Sequence, residues 1–240
     1  MGVGLDEVGE HLPAVDLGAG GEAVGVSAGF THVCAVTCDR FVKCWGENLY
    51  GQLGLGDGVQ RGHEPGGMGD ALPFVDLGDW ARVVSVSSGR YHTCAVLEDQ
   101  TVKCWGYNEF GGLGVGDSEH RGDGPGEMGE NLAPVEVGVG RGVRSVSAGQ
   151  YHSCVVLDDM SIKCWGQNGR GQLGVGDTVN RGGSASDMGG NLTSVDLGGG
   201  RIAKSVAAGY VHTCTVLEGG SVKCWGDNSY GQLGVGDADQ

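Results

Sequence analysis

Apolar positions in this chain come in short runs. In the second quarter they read PFVDLG, RVVSVSSG, HTCAVL and TVKCWG. Valine, threonine and aromatic residues favour extended backbone, and glycines and acidic residues bound each run. The stretches between glycines are too short for an amphipathic helix of three turns. Four strands are therefore predicted, over about 73–78, 82–89, 92–97 and 101–106. The same order recurs every 60 residues without insertion or deletion. Trp45, Trp105, Trp165 and Trp225 mark one column, and His32, His92, His152 and His212 another. The chain is four periods long, and the units 1–60, 61–120, 121–180 and 181–240 are read as blades of one domain. Four-stranded units of this size, repeated, predict an all-β fold, a β-propeller.

Composition changes this picture little. Glycine supplies 51 of 240 residues, which without a period would suggest disorder. Eight columns hold glycine in every copy, from Gly46 and Gly51 through to Gly89, so most of it fixes turns and close backbone approaches. The net charge of −15 disfavours a broad phosphate-neutralising surface, so nucleic acid is not an expected partner. No run approaches the roughly 20 apolar residues of a membrane-spanning helix, and no membrane association is expected. The first residues lack the basic and apolar regions of a signal peptide.

The most specific part of each unit runs KCWGENLYGQLGLGD (43–57), KCWGYNEFGGLGVGD (103–117), KCWGQNGRGQLGVGD (163–177) and KCWGDNSYGQLGVGD (223–237). Ahead of it stand a Ser/Ala-Gly pair and then histidine. This order resembles the regulator of chromosome condensation repeat family along the whole chain. The resemblance implies a β-propeller, usually of seven blades. Two features depart from it: there are four repeats, and each carries about ten extra residues after Gly-Asp, as in SEHRGDGPGEMGENLAP (118–134). That loop is expected to protrude. Met1 occupies the position of Arg61 and Gln240 that of Gln60, so the expectation is part of a larger ring, with a closed four-bladed ring as the alternative.

Eight of the nine cysteines pair by position: Cys34 with Cys44, Cys94 with Cys104, Cys154 with Cys164, and Cys214 with Cys224. Cys38 is left over. If Asp99 centres the hairpin turn, Cys94 stands opposite Cys104 on one face of the sheet. Opposed Cα atoms lie about 4.5–5.5 Å apart, within a disulfide's reach. Three readings stay open: cross-strand disulfides, reduced and buried thiols, or zinc. For zinc, His92, Cys94 and Cys104 leave the fourth ligand position unfilled. Oxidised pairs would place the protein outside the cell, whereas the resemblance implies the cytoplasm or nucleus.

Catalysis wants one unique set of groups, and here the distinctive residues are repeated. No phosphate loop of the G-x-x-x-x-G-K-[ST] type occurs, and the acidic loops match no calcium-loop spacing. No catalytic residue, cofactor or metal is assigned. The recurring histidines and lysines read as scaffold, and each Asp57/Arg61-type pair reads as a pin on the long loop. What differs between copies is the pair after the Ser-x-Gly segment and the four residues after Trp-Gly. The binding-surface candidates are Tyr50, Trp80, Arg90, Tyr91, Tyr107, Phe110, Tyr151, Arg170, Tyr210 and Tyr230. Tyrosine and arginine are favoured interface anchors. The expected function is a non-catalytic protein-interaction module. The resemblance adds guanine-nucleotide exchange on a small GTPase, and oxidised cysteines would add an extracellular binder or inhibitor.

Overall fold

The computed structural model describes residues 9–236. Among these, twelve strands form four three-stranded antiparallel sheets, each in chain order. The first holds β1 (Ala23–Ala28), β2 (His32–Thr37) and β3 (Val42–Gly46). The second holds β4 (Val83–Ser88), β5 (His92–Leu97) and β6 (Val102–Gly106). The third holds β7 (Val143–Ala148), β8 (His152–Leu157) and β9 (Ile162–Gly166), and the fourth β10 (Ala203–Ala208), β11 (His212–Leu217) and β12 (Val222–Gly226). The leading strands β1, β4, β7 and β10 pack on one another in sequence. They line an axis, and the sheets radiate from it as propeller blades.

Each blade has three strands, not the predicted four. The segment 73–78 is extended but makes one ladder bond, from the Val75 N–H to the Val42 carbonyl at 2.8 Å. A ladder needs such bonds at every second residue. Pro73 has no N–H to give, and the Asp76 carboxylate takes the Gly78 N–H at 2.9 Å and turns the chain away. The fourth copy lacks proline here, and there a further bridge joins Ser194 to Lys163. In the second, third and fourth copies the segment lies on the blade of the preceding repeat, through the N–H of Val75, Val135 and Val195, which interlocks the units.

The expected hairpin register holds. The Leu97 N–H reaches the Thr101 carbonyl and the Gln100 N–H the Leu97 carbonyl, at 2.9 and 3.0 Å. Gln100 has a φ of 68°, the left-handed residue of a three-residue hairpin loop. Val96 then faces Val102, and Cys94 faces Cys104. Leu97/Thr101 is a hydrogen-bonded pair, so by alternation Cys94/Cys104 falls on a non-hydrogen-bonded pair, where side chains stand closest.

Of the three readings of the cysteines, the structure takes the disulfide. Cys34 is bonded to Cys44, Cys94 to Cys104, Cys154 to Cys164, and Cys214 to Cys224, each pair with Cα atoms 4.1 Å apart. This separation is shorter than the roughly 4.5–5.5 Å expected of opposed strand residues and falls just below the usual disulfide range of about 4.4–6.8 Å. In the third blade Cys154 on β8 faces Cys164 on β9 in the same register as the others. Cys164 is thus committed to its neighbour across the hairpin and is neither a free thiol nor a zinc ligand. Cys38 is the free cysteine, and it is exposed.

The core lies between blades. In the first seam Cys34, Val36 and Cys44 meet Val83, Leu97 and Trp105, and Leu53 and Val75 complete the packing. Cys154 and Cys164 take the equivalent place in the third seam, with Leu173, Val195 and Leu217. The long loop does not protrude as expected. Met128 and Leu132 turn inward and cap the first seam from the third repeat, because burying two large apolar side chains favours that path over solvation. Gly106 and Arg121 exchange backbone bonds at 2.8 and 3.2 Å. Arg121 also pairs with Asp117 at 2.5 Å.

Polar groups fix the blades to one another. The Thr93 hydroxyl donates to the Gln52 carbonyl at 2.9 Å, and so does the Trp105 indole N–H at 3.0 Å. Having spent its proton, Thr93 Oγ1 accepts from His32 Nε2–H at 2.8 Å. His92 with Ser153 and His152 with Thr213 repeat this in the next seams. Beside it, the Ser27 hydroxyl oxygen accepts the Ser88 N–H at 2.8 Å. A Cβ on Gly89 would lie 2.4 Å from the Gly149 carbonyl oxygen, so only glycine lets adjacent blades approach this closely.

Candidate binding surface

The turn from first to second strand and the exit of the third strand emerge at the same end of each blade. The residues that vary between copies, after the Ser-x-Gly segment and after Trp-Gly, therefore share one face. Here the side chains converge. Tyr50 lies 5.2 Å from Tyr91 and 5.0 Å from Tyr107, ring centre to ring centre, and Tyr107 lies 5.0 Å from Tyr151. Phe110 is 5.2 Å from Tyr151. Such spacings fit the tilted and edge-on contacts that aromatic quadrupoles favour. Tyr107 is buried, and its hydroxyl donates to Glu109 at 2.6 Å. Burial first, then the Glu109 carboxylate, holds its pKa well above the usual tyrosine value.

Arg90 occupies the axial side of this cluster. Its guanidinium carbon lies 4.9 Å from the ring centre of Tyr91, 5.5 Å from Tyr210 and 5.6 Å from Tyr151, with Phe30 at 5.0 Å. It donates to the Tyr210 hydroxyl at 2.6 Å. These contacts join all four blades through one cation.

A hollow of about 620 Å³ opens beside the rings, lined by Glu109, Glu119, His120, Asp123 and Glu127 among others. Burial and then its bond with Glu127 raise the pKa of Asp123. His120 stacks on Tyr50 at 5.3 Å and on Tyr107 at 5.1 Å, and its Nδ1 accepts the Asn108 N–H at 3.1 Å. It is absent from the sequence candidates. Its column reads Gln60, His120, Asn180, all able to accept a bond, and that was the available signal. Phe30 was also missed as an individual candidate.

The remaining candidates lie apart. Arg170 is exposed, 3.9 Å from Asp227, and Tyr230 is exposed at the end of the fourth repeat. Trp80 precedes β4 at the opposite face, beside Glu98 and Asp99. It is 89% exposed with a φ of 66°. The matching residues Gly20, Gly140 and Gly200 are glycines with φ of 73°, 69° and 71°. A bulky residue in this region costs roughly 1–2 kcal/mol, and exposure returns nothing for it. Trp80→Gly is expected to raise stability by about 1 kcal/mol in denaturant titration. An unchanged or lower midpoint would refute that account.

A radial array of antiparallel blades around one axis, with a clustered aromatic face at one end, defines a β-propeller. Models of the regulator of chromosome condensation (RCC1) repeat match residues 23–52, 83–111, 143–172 and 203–232, and again 44–96 and 101–156. The chain belongs to this repeat family. It is 33% identical over 215 residues to the ultraviolet-B receptor UVR8 of Arabidopsis thaliana, a match covering 88% of this chain and 43% of that receptor. It is 26% identical over 220 residues to the X-linked retinitis pigmentosa GTPase regulator homolog of Caenorhabditis elegans, over 91% of this chain and 14% of that protein. The chain thus spans less than half the length of either relative. Among solved structures, Prp20p of Saccharomyces cerevisiae superposes with a TM-score of 0.68 at 23% identity, over 93% of this chain and 49% of that one. That likeness supports the fold.

Proposed function

We propose that the protein is a non-catalytic interaction module whose partner docks on the aromatic face. The observation that carries this is convergence. Positions that vary between otherwise regular repeats supply Tyr50, Tyr91, Tyr107, Phe110 and Tyr151 to one contiguous cluster. Rigid aromatic side chains give large contact area at little entropic cost. The acidic hollow beside them favours a partner that brings lysine or arginine side chains to the rings. The test is capture from a source lysate with the wild-type chain and with Tyr91→Ala/Tyr151→Ala as bait. Both half-buried rings lie outside the blade cores, so the variant is expected to fold and to lose its main partner at least tenfold. Equal capture by both baits would overturn the reading.

A second reading is regulation of a small GTPase. It rests on likeness to a protein named a GTPase regulator homolog and to Prp20p, whose structure is described with its binding to Gsp1p. Exchange activity requires faster release of labelled GDP at catalytic amounts of this protein. Stoichiometric binding without release supports the scaffold.

A further inference from the structure

The second and third repeats differ in their chemistry at one place, on the face opposite the aromatic cluster. In the third repeat Arg141 lies against the hairpin turn between β8 and β9. Its Nη1 donates to Asp158 Oδ1 at 3.4 Å and its Nη2 to Asp159 Oδ2 at 2.7 Å. The turn orients Asp159 for this contact. Its Oδ1 accepts the Ser161 N–H at 3.0 Å and the Ser161 hydroxyl at 2.6 Å. One guanidinium thus spans two carboxylates, which suits its planar fork.

The second repeat keeps these acceptors and lacks the cation. Glu98 and Asp99 hold the places of Asp158 and Asp159, and Ala81 holds that of Arg141. Asp99 Oδ1 accepts the Thr101 N–H at 2.9 Å and the Thr101 hydroxyl at 2.7 Å. The same oxygen is spent as in Asp159, and Oδ2 is left. Among the described residues no ion pair reaches Glu98 or Asp99. The nearby cations are engaged elsewhere. Arg82 lies on the Phe41 ring at 4.4 Å, and Lys103 Nζ donates to the Leu77 and Gly129 carbonyls at 2.8 and 3.0 Å. Lys103 does not bar a guanidinium, because Lys163 is its counterpart and lies within the field of Arg141.

The same place gains negative charge and a ring. Asp79 and Glu130 stand where the third repeat and its successor have Val139 and Gly190, and Trp80 stands where Gly140 does. With Glu98 and Asp99 they line a hollow of about 460 Å³. Trp80 is 89% exposed at a φ of 66°. A bulky side chain kept in that conformation without packing marks a place where something else contacts it. A cation laid on the indole face is such a contact.

We propose that this hollow takes an arginine side chain from a protein partner. The guanidinium bridges Glu98 and Asp99 and its face lies on Trp80. The third repeat makes the ionic half of this contact internally, with Arg141 as its own ligand. Arginine fits better than lysine, because a planar fork meets two carboxylates and stacks flat on a ring. The site is separate from the aromatic face and stands whether or not that face binds.

The probe is the peptide acetyl-Gly-Arg-Gly-amide, with its citrulline counterpart as the neutral control, added to the isotope-labelled whole chain. The readout is the indole Nε1–H resonance of Trp80, assigned by its loss in Trp80→Gly. It is local, so peptide bound in the acidic hollow at the aromatic face does not move it. We expect a saturable shift with a dissociation constant on the order of 1–10 mM, as suits one exposed ion pair and one cation–π contact. The citrulline peptide is expected to give none. Ala81→Arg supplies the arginine that this column already carries at Arg141 and Arg201, and is expected to weaken binding about fivefold or more by occupying the acids. Glu98→Gln/Asp99→Asn keeps the turn acceptor and removes the charge, and is expected to weaken it by a similar factor. Absence of a saturable shift overturns the proposal. So does an equal shift with citrulline, and so does unchanged affinity in either variant.

Discussion

Unfolded without reductant and alkylated, the chain is expected to show one reactive thiol, at Cys38, and nine after reduction. The other eight sulfurs are paired, and those of Cys34, Cys44, Cys94, Cys104, Cys154 and Cys164 belong to fully buried residues. Each bridge closes a short loop, from Cys94 to Cys104 or from Cys154 to Cys164 for example, and a loop of this length contributes about 2–3 kcal/mol by constraining the unfolded chain. Four together contribute about 10 kcal/mol, comparable with the whole stability of an ordinary domain, about 5–15 kcal/mol. Reduction is therefore expected to unfold the protein or leave it marginal. Burial should make the reduction slow until the fold opens, so the effect is read in denaturant with and without reductant. Equal midpoints would mean that the bridges contribute nothing. Nine thiols without reductant would mean that they do not form. One thiol would assign the chain to an oxidising compartment.

The cysteine pairing was legible because it needs only a hairpin register, and the register follows from alternation around Asp99. The same step carries from Cys94 and Cys104 to Cys154 and Cys164 without change, since the period is exact. Blade count followed from the 60-residue period. The fourth strand was misjudged for a local reason: PFVDLG has strand composition, but a proline and a carboxylate competing for backbone N–H groups decide how many ladder bonds form. The fate of the long loop was not legible either. Met68, Met128 and Met188 recur in register, as core positions do, yet which seam they cap depends on packing across three repeats. Of the binding candidates, those beside Trp-Gly and Ser-x-Gly came together because both turns leave the blade at one end. Trp80 was singled out for being off-register, and the reason it stands apart is that a glycine turn occupies its place elsewhere.

Acid is expected to unfold the protein well before its carboxylates protonate. Burial holds the pKa of His32 at about 4 and those of His92 and His152 at about 3. For His92, repulsion from His152 and His32 adds to the burial. The geometry agrees with the direction. Nε2–H is committed to the next blade's hydroxyl, and Nδ1 of His32 and of His152 is buried without a partner, so a second proton would point at no acceptor. The unfolded chain takes up these protons below about pH 6.5, whereas the folded chain does not until about pH 3–4. Stability is thus fully present above about pH 6.5 and falls with pH across that window. At about pH 5 each histidine costs about 2 kcal/mol and the three about 6 kcal/mol. His92→Gln keeps a donor for the Ser153 hydroxyl but cannot titrate. It is expected to lower stability at about pH 7 by about 1–2 kcal/mol and to remove about 2 kcal/mol from the loss between about pH 7 and 5. Denaturant titrations of both proteins at the two pH values measure this difference. If wild type and variant lose the same amount, the buried histidine is not what the acid attacks, and the seam between blades is not where unfolding starts.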